Sequence, residues 1–154
     1  MFLSGMLARG RTRDKTGPPL RLARLARWLP ALVWMGGIFW LSQQSKPLGQ
    51  PASGVEAIVA HVVLYTGLGL LLVWALASDG SRRGAGGEEP AWVLASLAFN
   101  LTVLYGVLDE LHQAFVPGRT ASEADLGLDA VGALIGVGLA LLLPRLAKAQ
   151  RRSR

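Results

Sequence analysis

The sequence predicts an all-α membrane protein, a bundle of four transmembrane helices with both termini in the cytoplasm. Three observations lead there. Four long apolar runs alternate with short polar stretches. Hydrophobic residues make up 51% of the 154 positions, and mean hydropathy is +0.38, high for a water-soluble domain. Finally, the sixteen Lys and Arg residues are distributed very unevenly along the chain.

Residues 1–20 are expected to form a mobile basic arm. Arg9, Arg11, Arg13 and Lys15 supply the charge, while Gly10, Gly17 and Pro18-Pro19 oppose regular structure. The apolar stretch before Arg9 is short for a secretory signal, and no small-residue cleavage pattern follows the next apolar run. A retained anchor is therefore expected. Residues 21–146 form the membrane domain and 147–154 a basic cytoplasmic tail.

Arg21, Arg24 and Arg27 recur every third residue at the entry to the first run, where their long stems can reach back to lipid headgroups. Trp28 to Leu41 carries no charge, and Ser42-Gln43-Gln44 closes it. With that entry included, the segment is long enough to cross. Trp28 and Trp40 stand where an aromatic belt would place them, and the tryptophans are read as interface anchors. Lys46-Pro47, Gly49, Pro51 and Gly54 mark a loop. Ala57 to Ala77 is the second span, Ser78 to Pro90 a polar turn, Ala91 to Leu108 the third span, and Leu126 to Leu143 the fourth, ended by Pro144-Arg145.

With four spans, the N-terminal segment (seven basic residues), the turn with Arg82 and Arg83, and the tail (five basic residues from Arg145 on) share one side. Lys46 and Arg119 alone lie on the other. The positive-inside rule then places both termini in the cytoplasm. Topology accounts for the formal charge of +6, so no nucleic-acid partner is expected. The absence of cysteine excludes disulfides and thiolate metal sites.

The functional signal is the polar stretch from Asp109 to Asp125 between two apolar runs. Charges beside a bilayer cost roughly 2–4 kcal/mol on insertion scales unless they pair, line a cavity or perform chemistry. On helices, His61 and Tyr65 share a face, as do Glu110 and Gln113, with Asp109 on the adjoining arc. Asp125, Asp129, Gly132, Gly136 and Ala140 form one stripe that is acidic at one end and small below it, as a close helix contact requires. Arg119 follows a tight Val116-Pro117-Gly118 turn and is the one cation nearby in sequence. His61, Glu110, Gln113 and Arg119 are thus expected to converge at the extracytoplasmic level.

Plainer readings stand beside each residue. His61 and Tyr65 fit a buried hydrogen-bonded pair. Ser122-Glu123-Ala124-Asp125 fits a capping box. Asp109 and Glu123 fit solvated acids, and Arg119 a counter-ion for Glu110 or Asp125. Gly132 and Gly136 fit packing. His61, Glu110, His112 and Asp125 offer nitrogen and oxygen ligands, but the spacing demands no metal, and His112 is two residues from Glu110 on a helix. No metal and no cofactor are expected.

At these residues the chain resembles the VanZ-like family, named for a teicoplanin-resistance protein. The matching features are Ile38-Phe39-Trp40-Leu41-Ser42 followed by Gln, His61 with Tyr65 and a Leu/Gly run, Glu110 and Gln113, Pro117-Gly118-Arg119, Asp125, and Gly132 with Gly136. Together they cover Trp34 to about Leu143. The chain has Ala57-Ile58 where the family often has Asp-Lys, and Asp129 where it often has Asn. The resemblance implies a four-span membrane protein, linked in some members to glycopeptide tolerance, and supplies no established reaction.

The leading expectation is a membrane protein acting on, or binding, cell-envelope or lipid-linked anionic material at the outer leaflet. Arg119 would grip the anion. His61 and Glu110 are the candidate acid/base groups. Gln113, Tyr65, Asp125 and Asp129 are candidate ligand contacts, while Ser122, Gly132 and Gly136 are structural. Membrane lipids are the expected partners. A non-enzymatic binding or assembly protein is the alternative, and a proton or cation pathway ranks third.

The topology is open to direct test in a chain that lacks cysteine. Cysteines introduced at Gly49 and Thr120 are expected to react with an impermeant thiol reagent in intact cells, and one at Gly84 is not. Labelling at position 84 would invert the assignment.

Overall fold

The computed structural model describes residues 25–44, 54–78 and 90–152. For residue 78 and residues 144–152 it describes the backbone alone. The arm over residues 1–20, Arg21 and Arg24, and most of the two inter-span connections lie outside the described residues. The described chain is helical: α1 (Leu29–Ser42), α2 (Gly54–Ser78), α3 (Ala91–Gln113) and α4 (Glu123–Arg152).

Three of the four helices are long and apolar enough to cross a membrane: Gly54–Ala77 in α2, Ala91–Gln113 in α3 and Glu123–Leu143 in α4. The first is shorter. Its 14 residues rise about 21 Å at roughly 1.5 Å each, against a hydrocarbon core of about 30 Å. Pro30 fits at the start of α1 because the first turn has no intrahelical use for its missing N–H.

Several boundaries differ from the sequence reading: α2 already begins at Gly54, which the sequence marks as loop, and α4 begins at Glu123, ahead of its apolar run. The third helix does not stop at Leu108 but runs through Asp109, Glu110 and His112 to Gln113. Its last turn is polar because it faces other helices, not because it has become a loop. The fourth helix does not end at Pro144. It continues to Arg152, past a Pro144 that removes one ladder bond and crowds the carbonyl four residues before it, into Leu146-Ala147-Lys148-Ala149-Gln150, all good helix formers.

Polarity is arranged inside-out. Asp109, Glu110, Gln113, Asp129 and Thr102 are buried, whereas Trp74, Leu104, Leu111, Leu134 and Leu142 are exposed. Lipid can cover the apolar side chains. A carboxylate at that depth is tolerable only against other protein.

The closest helix pair is α2 with α4, and the small stripe makes it possible. A Cβ on Gly132 would come within 2.7 Å of the Val62 carbonyl oxygen, and one on Gly136 would strike the Thr66 carbonyl. From the other side, a Cβ on Gly69 would meet the Ala133 carbonyl at 3.1 Å. Thr66 Oγ1 donates to the Gly132 carbonyl across the same contact (3.1 Å). Helix α1 is tied on by long-range bonds along its length, two of them in its middle and one at Ser42. Trp34 Nε1 donates to Leu64 O (2.8 Å) and Tyr105 Oη to Met35 O (2.6 Å). Trp34 thus spends its indole N–H on a helix contact, and its ring lies against Gly67, where a Cβ would come within 2.6 Å of it.

The stripe gives a matched pair of substitutions. Gly136→Ala places a methyl against backbone and is expected to destabilise the bundle by about 1–3 kcal/mol. Gly138 has nothing within 4 Å of its Cβ position, so Gly138→Ala is expected to be neutral or to gain up to about 1 kcal/mol of helix propensity. Unfolding of the two variants in the same detergent gives the comparison.

Candidate functional site

All four helices bring polar groups to one end of the bundle. Helix α1 ends there with Ser42 and Gln44, α3 with Asp109, Glu110 and Gln113, and α4 begins there with Asp125 and Asp129. His61 stands two turns inside the start of α2. The 114–122 connection closes over this end. Its turn is made by Arg119 N–H donating to Val116 O (3.1 Å) with Gly118 at φ 81°, the left-handed conformation that a Pro-Gly type II turn requires.

His61 is the centre of the arrangement. Its Nδ1 lies 2.8 Å from Asp129 Oδ1, and Asp129 is fully buried. An ionised carboxylate can only accept, so Nδ1 carries a hydrogen; in the neutral ring Nε2 then keeps its lone pair, and in the imidazolium both nitrogens donate. Nε2 faces Asp125 Oδ2 at 4.0 Å. The expected alternative, a hydrogen bond from Tyr65 to His61, is not made. The two rings lie parallel with centroids 6.5 Å apart, and the buried Tyr65 Oη has no hydrogen-bond partner among the described residues.

Glu110 joins two elements. Its Oε2 accepts the Ser122 N–H (2.7 Å) and its Oε1 faces Gln113 Nε2 (3.4 Å). The capping box at the start of α4 is therefore half made. Ser122 Oγ accepts from Asp125 N–H (3.3 Å), but Glu110 holds the Ser122 N–H that the Asp125 side chain would take in a complete box. The Asp125 carboxylate is turned toward His61 instead.

Asp109 is buried, not solvated. Its Oδ1 accepts from the Ser42 hydroxyl (2.5 Å), whose oxygen also lies 2.9 Å from the Ile38 carbonyl, and its Oδ2 accepts from Gln113 Nε2 (3.0 Å). Arg119 does not neutralise the acids: among the described residues it forms no ion pair with any of them. Its Nε donates to the Gln44 carbonyl (3.2 Å) and one terminal nitrogen to Gln113 Oε1 (2.9 Å). His112 points away from the cluster and packs on Phe39, with ring centroids 4.5 Å apart.

The structure thus brings His61, Glu110, Gln113, Asp125, Asp129 and Arg119 to one region, with Tyr65 behind His61 and Ser122 at the rim. Gly132 and Gly136 lie below, in the contact that holds α2 and α4 together. Ser42 enters the sequence reading only as the close of the first run and as part of the family feature over residues 38–42, and neither it nor Gln44 is placed there among the site residues. The signal available was that a Ser-Gln-Gln end of the first apolar run falls at the same level as the other polar groups.

A family model described as VanZ/LLP1 matches residues 21–144, most of the chain. The chain belongs to the VanZ/LLP1 family. Family membership and the three long apolar helices make it a multi-pass membrane protein. No curated protein and no solved structure matches it. In this VanZ/LLP1 protein the position opposite His61 is held by Asp129, so the imidazole meets a full carboxylate. An imidazole nitrogen aimed in this way can accept a proton or ligate a cation.

The Ser42–Asp109 bond is a direct measure of how firmly α1 is held. Ser42→Ala removes the donor from one carboxylate oxygen and is expected to lower stability by about 1–2 kcal/mol, the range of hydrogen bonds to charged groups and of the stronger ones measured between membrane helices. Thermal unfolding beside the parent protein reads the loss.

Proposed function

We propose that this VanZ/LLP1 protein binds an anionic group of cell-envelope or lipid-linked material at the extracytoplasmic face, with Arg119 as the anchor. One observation carries the reading: Arg119 is held in place by two neutral acceptors, the Gln44 carbonyl and Gln113. Its charge is positioned but not cancelled. Its partner Gln113 in turn contacts Asp109 and Glu110, and among the described residues no acid is paired with Arg119 itself. A guanidinium fixed in this way keeps donors for a carboxylate or phosphate, which it can grip in a planar fork. The half-buried position of Arg119 beside the end of a membrane bundle fits a headgroup better than a deeply enclosed solute. The placement of this face outside the cytoplasm rests on the distribution of basic residues in the sequence. A link to glycopeptide tolerance is part of the proposal through the family alone.

A proton or cation pathway draws no support from the buried groups. Toward the opposite end, Thr102 spends its hydroxyl on the Ala98 carbonyl of its own helix (2.8 Å), and Thr66 spends its own on Gly132. No polar ladder continues across the bundle among the described residues.

The test compares parent, Arg119→Lys, Arg119→Ala and Ser42→Ala as purified proteins in nanodiscs of phosphatidylcholine with or without phosphatidylglycerol. Retained anionic lipid and thermal unfolding are measured for each. Arg119→Lys is expected to keep most of the fold and to lose anionic lipid at least tenfold. Ser42→Ala is expected to unfold earlier and keep the lipid. If Arg119→Lys matches the parent in lipid retention while Arg119→Ala unfolds early, Arg119 is a staple between α1 and α3 and the ligand reading fails. Envelope-drug sensitivity of cells carrying the same variants then tests the link to tolerance.

A further inference from the structure

The same end of the bundle holds a second constellation that does not depend on Arg119. One ligand atom from each of His61, Glu110 and Asp125 lies within 4.8 Å of the other two. From this juxtaposition we propose that the protein binds one divalent first-row transition-metal ion, with Zn²⁺ the best fit to the donors, through His61 Nε2 and one carboxylate oxygen each of Glu110 and Asp125.

Four features support the site. The first is the donor set. Imidazole suits Zn²⁺ and its neighbours, whereas Mg²⁺ and Ca²⁺ take oxygen ligands. Three protein ligands with a fourth position left open is the pattern of exchangeable rather than closed zinc sites.

The second is the His61–Asp129 bond. A ligating histidine typically gives its other ring N–H to a carboxylate, which fixes the tautomer and aims the free nitrogen at the metal. Here the fully buried Asp129 takes the Nδ1 hydrogen at 2.8 Å, and Nε2 faces Asp125.

The third is charge. Asp109, Glu110, Asp125 and Asp129 lie at one level of the bundle, and Arg119 pairs with none of them. Asp129 Oδ2 is buried with no hydrogen-bond partner among the described residues. Buried carboxylates without a cation are costly, and a divalent ion among them offsets that cost.

The fourth is reach. Ligand atoms about 2.1 Å from a tetrahedral ion stand about 3.4 Å apart. His61 Nε2 and Asp125 Oδ2 are 4.0 Å apart, so side-chain rotation of less than an ångström closes that edge. Glu110 is already oriented by Ser122 N–H. The His61 and Asp125 side chains are 13% and 31% exposed, which leaves an entry path from the surface.

The experiment uses the untagged full chain in detergent, stripped with a chelator and dialysed. Zn²⁺ alone is titrated by calorimetry, and bound metal is counted by mass spectrometry. One Zn²⁺ per chain with micromolar or tighter affinity is expected, with Mg²⁺ and Ca²⁺ at least a hundredfold weaker. His61→Gln and Asp125→Asn are each expected to weaken Zn²⁺ at least a hundredfold. Asp129→Asn, which acts through His61, is expected to weaken it 10–100-fold. His112→Gln, outside the cluster, is expected to leave it unchanged. Should a variant fail to fold, X-ray absorption of the Zn²⁺-loaded parent decides, with one imidazole nitrogen and two or three oxygens expected around the ion. No binding above the level of the His61→Gln variant, an all-oxygen shell, or loss of binding in His112→Gln overturns the site. Arg119→Lys is expected to keep Zn²⁺ in full, so failure of the anionic-ligand reading and failure of the metal site are separately visible.

Discussion

A buried carboxylate at the edge of a bilayer has to face protein, and most of this architecture follows from that constraint. Asp109, Glu110 and Asp129 cannot face lipid without a cost of several kcal/mol each. They are turned into the bundle, and the exposed surface is left to leucine, valine and tryptophan. Each acid draws a donor from another helix or connection: Ser42 from α1, the Ser122 backbone from the connection, and His61 from α2. The polar end is therefore what joins helices whose remaining contacts are apolar and largely unspecific.

That joining depends on the glycine stripe of α4. The Thr66 carbonyl sits where a Gly136 side chain would be, and the Val62 carbonyl where a Gly132 side chain would be. At this separation His61 reaches Asp129 directly. A wider spacing would leave Asp129 buried without its donor. Packing and electrostatics are thus coupled along one helix pair, with the small residues placing the imidazole and the imidazole making the acid tolerable.

Much of this was legible in the sequence, and the limits have physical causes. The apolar runs gave the helices because lipid-facing and core-facing positions are both hydrophobic. The stripe on α4 was readable because acids and glycines recur at helical spacing, and the shared level of His61, Glu110, Gln113 and Arg119 followed from their distances to the ends of the runs. The apolar run of α3 ends at Leu108 because hydropathy falls where a helix turns polar, but the backbone has no reason to stop there, and the shared face of Glu110 and Gln113 already requires helix to Gln113. Pro144 gave a termination signal that a favourable following sequence outweighs. The roles of Ser42 and Gln44 were hidden for another reason: one donates to an acid 67 positions away, and the other acts through its backbone carbonyl, which no side-chain pattern records. Asp109 was read as solvated because its partner lies on a helix distant in sequence.

The dual engagement of Glu110 bears on how phenotypes of this chain are to be interpreted. One of its oxygens is the acceptor that fastens the first residue before α4 to the last turn of α3, so the side chain is a weld between two spans as well as a lining group. Any replacement there loosens the joint and alters the lining in the same stroke. Loss of activity in a Glu110 variant is consequently ambiguous between chemistry and architecture, however complete the loss. Asp125 carries no such double duty in its carboxylate, since its contribution to the helix start is made through its backbone N–H. Genetic dissection of this region is therefore cleaner at position 125 than at the more deeply buried acid beside it.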